Sequence, residues 1–526
     1  MDCVMSLEAM LEQDFGTIPD LVRYHAQVAP QRVALVDEAR QVNYREFDAL
    51  CDRVVASLQR DGIAPQSAIA VCALSSIEYA ALFLGALRAG IAVSPLAPSS
   101  IPESLAIMVA DCGSPLIFFD ASTEPVLREV DAKVTRVTLD GSGGGKPLCD
   151  WLMPSGAKPK PVQIKPEWRF NIIYSSGTTG VPKGIVQSHG MRWQHVRRAN
   201  LFAYGPDAIA IISTPLYSNT TLVGFFPTLA LGGTAVLMKK FDAAKFLNLA
   251  ERHRATHAML VPVQYSRIMA LPNFDEHDLS SFRMKFSTSA PFNAALKADI
   301  LKRWPGGLVE YYGMTEGGGT CILAAHEFPD KLHTVGRPSE GHDIRLIDEN
   351  GCEVGPGEVG EVVGHSPAMM NGYHNQPEKT EEAEWRDRSG KRFIRTGDVG
   401  RFDADGFLQL MDRRKDMIIS GGFNIYPSDL ETVIAAHPDV AEASVIGVPS
   451  ESWGETPVAF VVLREGSDAT ADAVREWANS RLGKTQRLNV VEIVDVLPRS
   501  AIGKVLKREL REEWIASGGA REPVAP

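Results

Sequence analysis

Residues Tyr174 to Gly184 read Tyr-Ser-Ser-Gly-Thr-Thr-Gly-Val-Pro-Lys-Gly, placing hydroxyls, glycines and one cation close together. Ser175, Ser176, Thr178 and Thr179 supply O–H donors, while Gly177 and Gly180 let a loop bend tightly enough for backbone N–H groups to converge. Lys183 adds a positive charge, and the set suits the oxygens of a phosphate chain. It is not a P-loop, which needs Gly-Lys-Ser/Thr after a fixed gap, because Pro182 precedes the lysine. The run Gly143-Gly144-Gly145-Lys146 fails the same test, with Asp140 at the first-glycine position and Pro147 after the lysine. By composition alone, the 174–184 segment is equally an ordinary flexible loop.

The elements around it must hold such a loop in place. The apolar run Phe170–Ile173 reads as a strand leading into it. Upstream, Asn43 with Glu46 makes a capping-box signature, followed by Phe47, Leu50, Val54, Val55 and Leu58 at helical spacing, and the run around Cys72 reads as a buried strand. Residues Ala208 to Met238 carry no charge and are long enough to cross a bilayer. Pro215, Pro227 and Gly232-Gly233 instead divide them into strand, helix and strand. Alternating apolar runs and helical patterns up to about residue 270 predict βαβ units and a mostly parallel sheet. From about 340 the segments IRLIDENG, GEVGEVVG and ADGFLQL predict short strands joined by Gly and Asp turns. Ser428 with Glu431 gives a second capping-box signature, opening a compact C-terminal domain near residue 415 with a helix at 429–436 and a further helix ended by Gly483.

Composition narrows the function classes. At 526 residues the chain is too long for one core, and 44% hydrophobic with 23% charged residues is the balance of an ordinary globular protein. The net charge of −11 argues against nucleic acid as a partner, so an anionic substrate must meet a few local cations. Seven scattered cysteines without a CxxC pair argue against a disulfide frame or structural zinc and suit a reducing, cytoplasmic setting. The first residues carry Asp and Glu where a signal peptide would be basic.

The run at 174–184 resembles the phosphate-binding signature of the adenylate-forming superfamily, in its acyl-CoA synthetase and aryl-CoA ligase branch. Other motifs of that superfamily follow in order. Glu310, Tyr311, Tyr312-Gly313-Met314-Thr315-Glu316 resemble its adenine and magnesium motif, and Thr396-Gly397-Asp398 its ribose motif. Arg413, Lys415 and Asp416 match its hinge region, Gly421-Gly422 the glycine pair beyond, and Pro498-Arg499-Ser500-Ala501-Ile502-Gly503-Lys504 its C-terminal lysine motif. The resemblance implies an α/β fold. A large N-terminal body (1–412) would have layered βαβ sheets and a small β-barrel-like part. A hinge (413–416), a small mobile α+β domain (417–515) and a tail (516–526) would follow. It implies ATP, Mg²⁺ and CoA as reactants, and a monomer or homodimer. A carboxylate would attack the α-phosphorus of ATP, giving acyl-AMP and pyrophosphate, and a thiol would then displace AMP. Thr178, Glu316 and Lys504 would be catalytic, with Glu316 holding Mg²⁺. Ser175, Ser176, Gly177, Thr179, Gly180, Lys183, the 310–315 segment, Asp398 and Arg413 would bind the nucleotide. Lys415 would be the pivot, and Gly421 and Gly422 would lie against CoA.

Two departures from the family bear on the acid. Ser218 stands where many members have histidine, in Pro215-Leu216-Tyr217-Ser218-Asn219, and Thr288-Ser289-Ala290-Pro291 replaces a Gly-Gly-Ala-Pro run. An acyl pocket from Ser218, Asn219, Gly224, Phe225, Thr288, Ser289, Ala290 and Gly318, with neighbouring residues, carries no charge. That predicts an aromatic or medium-chain monocarboxylic acid, since an unpartnered second charge there would cost several kcal/mol. Asn219, Thr220 and Thr221 suit either a ring substituent of the acid or a cap on the following helix, with the cap the favoured reading. Two other readings stand beside the CoA ligase: an adenylating enzyme that loads a carrier protein, and a non-catalytic sensor.

Overall fold

A computed structural model of the chain describes residues 5–175, 182–413, 416–420, 423–450, 453–483, 486–500 and 504–517, with backbone alone for Asp412, Arg413, Phe423 and Asn424. The chain divides into two compact units, one made of residues 1–344 and 364–394, the other of 345–363 and 395–526.

Two sheets organise the first unit. One has nine strands in the order Arg337–Pro338, Gly317–Ala324, Gly307–Met314, Met284–Ser287, His257–Leu260, Ile209–Ile212, Thr234–Leu237, Val33–Val36 and Gln41–Asn43. From Gly307–Met314 to Val33–Val36 its neighbours run parallel, as the βαβ pattern predicts. The other has eight: Gly372–Tyr373, Lys183–Ser188, Arg169–Ser175, Ala92–Pro95, Ala68–Cys72, Leu116–Phe119, Thr135–Thr138 and Lys146–Pro147. One apolar core joins side chains of both sheets, Val71 and Phe170 from one and Ile212, Leu237 and Phe286 from the other, with the helices laid between.

Local chemistry explains the helices. Asn43 Oδ1 accepts from the Glu46 N–H and Glu46 Oε2 from the Asn43 N–H, both at 2.9 Å, so the capping box opens the helix Tyr44–Arg60 as expected. The uncharged stretch resolves into the strand Ile209–Ile212, the helix Asn219–Ala230 and the strand Thr234–Leu237. Pro227 lies inside that helix and does not end it; Gly232, at φ +87°, makes the turn that follows. Among the described residues, no helix is long and apolar enough to cross a membrane.

In the second unit the strand Arg392–Phe402 pairs antiparallel with Leu408–Arg413. Further on, Phe423–Ile425, Ile418–Ser420, Gly454–Leu463 and Val440–Ser450 form a sheet, with Val490–Ile493 parallel to Gly454–Leu463. Leu430, Ile434, Val474 and Ala478 of the helices Pro427–Ala435 and Ala471–Asn479 share one apolar cluster with this sheet; Leu510 and Trp514 of Lys507–Ala516 share another. The second capping box does not form. The helix Pro427–Ala435 has no side-chain cap bond, Ser428 donates to the Met411 carbonyl, and Glu431 accepts from the Val445 N–H and pairs with Lys507 at 2.8 Å. A lysine and a strand N–H compete for the carboxylate the cap needed.

Candidate active site

The glycine- and hydroxyl-rich run connects two antiparallel neighbours. Ser175 ends the strand Arg169–Ser175, Lys183 begins Lys183–Ser188, and the two are directly paired. Ser176, Gly177, Thr178, Thr179 and Gly180 lie outside the described residues. Gly184 permits the close pairing, because a Cβ there would sit 2.9 Å from Ile172 Cγ2 and 3.2 Å from His374 Cβ. Lys183 Nζ lies 5.2 Å from the centre of the Tyr373 ring, within cation–π range, and the Tyr373 hydroxyl donates to Glu316 Oε1 at 2.9 Å. Burial and the neighbouring Glu316 carboxylate push the Tyr373 phenol well above its ordinary value. Tyr373 thus links the lysine of one motif to the carboxylate of another. Sequence reasoning missed it, since its place on a two-residue edge strand leaves no periodic signal.

Glu316 stands at the turn between Gly307–Met314 and Gly317–Ala324, and the Met370 N–H holds its carbonyl at 2.8 Å. Among the described residues no three His, Cys, Asp or Glu side chains gather in a metal-binding group. A lone carboxylate fits Mg²⁺, which takes one or two carboxylates and completes its shell with phosphate oxygens and water. Tyr311 stacks on Phe286 (5.7 Å, 7° between planes), Tyr312 is half-buried and Gly313 exposed. Glu310 is buried and engaged elsewhere than the sequence suggested: Lys297 of the helix Ala294–Arg303 donates to Glu310 Oε2 at 2.5 Å and to the Thr334 carbonyl at 3.2 Å. An acceptor already committed to a buried ammonium is a poor partner for an adenine amino group.

The expected acyl-pocket residues divide. Thr288, Ser289 and Ala290 are half-buried, and Ser289 holds φ +80° while sharing a 2.5 Å hydrogen bond with Thr220. A non-glycine residue in the left-handed region is the kind of strain that gathers at functional sites. Ser218 is buried at the start of its helix without a side-chain cap bond. Asn219 does not cap either; its Oδ1 accepts from Arg192 at 2.8 Å and from Gln187 at 3.3 Å. Thr221 donates to the Pro215 carbonyl at 2.6 Å. Gly224 faces Met259, whose Cβ a methyl there would approach to 3.2 Å, and Phe225 is wholly buried against Phe226. Neither fits the pocket wall expected of it. At Gly318 the Cβ position is 2.8 Å from Ile394 Cβ, so the glycine serves close packing there.

The helix His189–Ala199 carries what the sequence reading overlooked. Arg192 is 1% exposed and lies against the Phe170 ring. It donates to Asn171 Oδ1 at 3.2 Å, to Asn219 Oδ1 and to Gln187 Oε1. Gln187 in turn donates to the Thr315 carbonyl at 2.6 Å. All its described partners are neutral, and desolvation brings its guanidinium down to about 9. His195 Nδ1 lies 3.5 Å from Arg192 Nη1, and burial with the nearby guanidiniums of Arg192 and Arg198 holds it well below its ordinary value. His342 accepts the Thr320 N–H at Nδ1 (2.9 Å), leaving Nε2 as the protonated nitrogen, and burial with Arg198 brings it to about 4.

In the second unit Asp398 follows Gly397, at φ +71°, and Arg413 is its direct cross-strand partner along the backbone. The Asp398 N–H donates to Thr396 Oγ1 at 3.1 Å, which in turn donates to the Val362 carbonyl. Lys504 is half-buried, the Ser500 N–H donates to its carbonyl at 2.8 Å, and Arg499 and Val505 form an antiparallel bridge. Lys415, Gly421 and Gly422 lie outside the described residues.

Residues 22–374 match the AMP-binding enzyme family and residues 429–504 the AMP-binding enzyme C-terminal domain. An indoleacetate–CoA ligase of Aromatoleum aromaticum is 33% identical over 503 residues, covering 93% of this chain and 96% of that protein. A fatty acid–[acyl-carrier-protein] ligase, ScoC of Streptomyces coeruleorubidus, is 30% identical over 512 residues, covering 95% and 96%. The crystal structure of ATP-bound MatB from Rhodopseudomonas palustris superposes with a TM-score of 0.86 at 29% identity, covering 95% of this chain and 99% of that one. With five motifs in order and both family matches spanning the two units, the chain belongs to the AMP-binding enzymes, on the acyl- and aryl-CoA ligase branch of the adenylate-forming superfamily.

Proposed function

We propose that the protein is an AMP-forming carboxylate–CoA ligase acting on an aryl or medium-chain acid. The observation that carries this reading is the chain Lys183–Tyr373–Glu316 at the base of the hydroxyl-rich segment, a cation and a hard carboxylate held on one scaffold. Phosphoryl chemistry between two anions asks mainly for placed charge. Lys183, with Thr178 and Thr179, is assigned to the pyrophosphate end of ATP. Glu316 would hold Mg²⁺, whose charge neutralises the phosphates when bound. The Asp398 carboxylate, opposite Arg413, suits the two ribose hydroxyls. Tyr312 is assigned to the adenine, and Lys504 to the negative charge that builds between carboxylate and α-phosphate. Glu310 acts through Lys297, fixing the strand that carries the adenine motif. In the second half-reaction the thiol attacks the mixed anhydride and AMP leaves, with Lys415 as pivot and Gly421 and Gly422 admitting the pantetheine arm.

A carrier-protein thiol in place of CoA is the second reading, favoured by the similarity to the acyl-carrier-protein ligase. The two-step assignment is tested by separating the halves. Lys504→Ala is expected to lose adenylation at least 100-fold while still converting supplied acyl-adenylate to thioester, and Gly421→Leu to do the reverse. Parental turnover of acid, ATP and CoA by Lys504→Ala would remove that residue from the mechanism.

A further inference from the structure

The charged groups assigned to ATP come from two different sheets. Lys183 lies on the strand Lys183–Ser188 of the eight-stranded sheet, and Glu316 on the turn after Gly307–Met314 in the nine-stranded one. A cation and a carboxylate that act on one phosphate chain therefore depend on how the two sheets are held together at this point.

A buried side chain makes that connection. Gln187, on the same strand as Lys183, donates from Nε2 to the carbonyl of Thr315, the residue before Glu316, at 2.6 Å. An amide can face either way, and only one way gives this bond. Arg192 decides the direction, because a guanidinium has donors and no acceptor. Gln187 accordingly turns Oε1 to Arg192 and keeps Nε2 for Thr315. Asn219 follows the same rule, its Oδ1 accepting from Arg192 at 2.8 Å and from Gln187 at 3.3 Å. So does Asn171, the direct cross-strand partner of Gln187, whose Oδ1 accepts from Arg192 at 3.2 Å. One donor-only group, seated 5.5 Å over the Phe170 ring, thus aligns three amides. The turn that carries Glu316 is then held at three atoms: the Thr315 carbonyl by Gln187, the Glu316 carbonyl by the Met370 N–H, and Glu316 Oε1 by the Tyr373 hydroxyl. Burying a guanidinium among neutral amides costs free energy that a well-packed apolar side chain would avoid, and its effect here is a fixed amide beside the site.

We propose that Arg192 and Gln187 are positioning residues for the nucleotide site. Arg192 fixes the Gln187 amide, and Gln187 holds the Thr315–Glu316 turn of one sheet against the strand of the other that carries Lys183. Neither takes part in bond making. The inference rests on the ligase reading above and adds to it the device that sets the spacing of two of its charged groups.

The test is calorimetric titration with α,β-methylene-ATP and Mg²⁺, and separately with AMP, which has no pyrophosphate to place between Lys183 and Glu316. Gln187→Glu keeps a partner for Arg192 but sets an oxygen against the Thr315 carbonyl. It is expected to weaken analogue binding at least about 10-fold, the loss typical of removing a group that orients a ligand. Its AMP affinity and its thermal midpoint should stay near the parental values. Arg192→Met, which leaves the amide free to turn, should weaken the analogue similarly, and the donor-only Arg192→Lys should recover part of the loss. If Gln187→Glu fails to fold, Gln187→Met removes the same donor without adding a charge and decides the matter. Parental analogue affinity in a folded Gln187 variant, an equal loss of AMP binding, or Arg192→Lys no better than Arg192→Met would overturn the proposal. So would a parental protein that does not bind the analogue. If no acid releases pyrophosphate, the ligase reading fails while these titrations still test the two residues.

Discussion

The buried pair Lys297–Glu310 offers the sharpest perturbation of the scaffold. Lys297 is 1% and Glu310 5% exposed in their side chains, 2.5 Å apart, and Lys297 also satisfies the Thr334 carbonyl. Lys297→Met fills similar space, strands a carboxylate in a dry interior and leaves a carbonyl short of a donor. Removing one partner of a buried pair typically costs about 3–5 kcal/mol. At roughly 1.3 °C per kcal/mol for a body of this size, the thermal midpoint of the first unit should fall by about 4–6 °C. Glu310 already titrates above the ordinary carboxylate range because burial outweighs the attraction of Lys297. Without Lys297 it rises further, so the folded variant holds a proton that the unfolded chain has released. A group with its folded value raised in this way loses stability as pH climbs from about 4.5 through the folded value. The gap between variant and parent should therefore be small at pH 5 and large at pH 8. The double variant Lys297→Met with Glu310→Gln should recover most of the loss, because no charge is then stranded. A pH-independent gap, or a double variant no better than the single, would refute the reasoning. Scanning calorimetry at both pH values reads all of these outcomes.

Three further outcomes follow from single contacts. Tyr373→Phe keeps the ring under Lys183 but removes the hydroxyl that orients Glu316, so half-saturating Mg²⁺ should rise up to about 10-fold in pyrophosphate-release assays, with thermal midpoint unchanged. Gly319→Ala places a methyl 2.2 Å from Ile344 Cδ1 at φ +152°, and Gly317→Ala one 2.1 Å from the Ala368 carbonyl oxygen at φ +86°. Each should cost at least about 2 kcal/mol of stability, the latter more, because a backbone atom cannot step aside. Ser289→Gly relieves the left-handed strain as it gives up the bond to Thr220 and should be near neutral, whereas Ser289→Ala loses the bond and keeps the strain. Chemical denaturation ranks the two, and an alanine variant more stable than the glycine one would contradict this account.

The parts of the molecule written in short local patterns were legible from sequence. Asn43 and Glu46 are three residues apart and find each other as soon as a helix starts, so their capping box appears as read. The apolar run Phe170–Ile173 forms the strand Arg169–Ser175 that leads into the hydroxyl-rich segment, as read. What was misread depends on partners far along the chain. Glu431 has the spacing of a capping residue, but Lys507 and the Val445 N–H claim it. Gly318 was counted with the acyl pocket, and its Cβ position lies 2.8 Å from Ile394 Cβ. Glu310 looked available until Lys297 was placed beside it. The basic helix His189–Ala199 reads as a solvated surface by composition, since Arg192, Arg197 and Arg198 are normally exposed types. The one usable signal was position: the helix starts where the strand Lys183–Ser188 ends, and that strand leaves the proposed phosphate site.

The central claim is ATP-dependent activation of a carboxylic acid followed by transfer to a thiol. It is tested most directly by measuring AMP and pyrophosphate release over a panel of fatty acids, benzoates, cinnamates, dicarboxylates and amino acids, with and without CoA. The account predicts that one acid class gives AMP release accelerated by CoA, with thioester formed in equal amount. Pyrophosphate release without any acceleration by CoA would contradict the CoA ligase and favour a carrier-protein acceptor, and silence with every acid would contradict catalysis altogether.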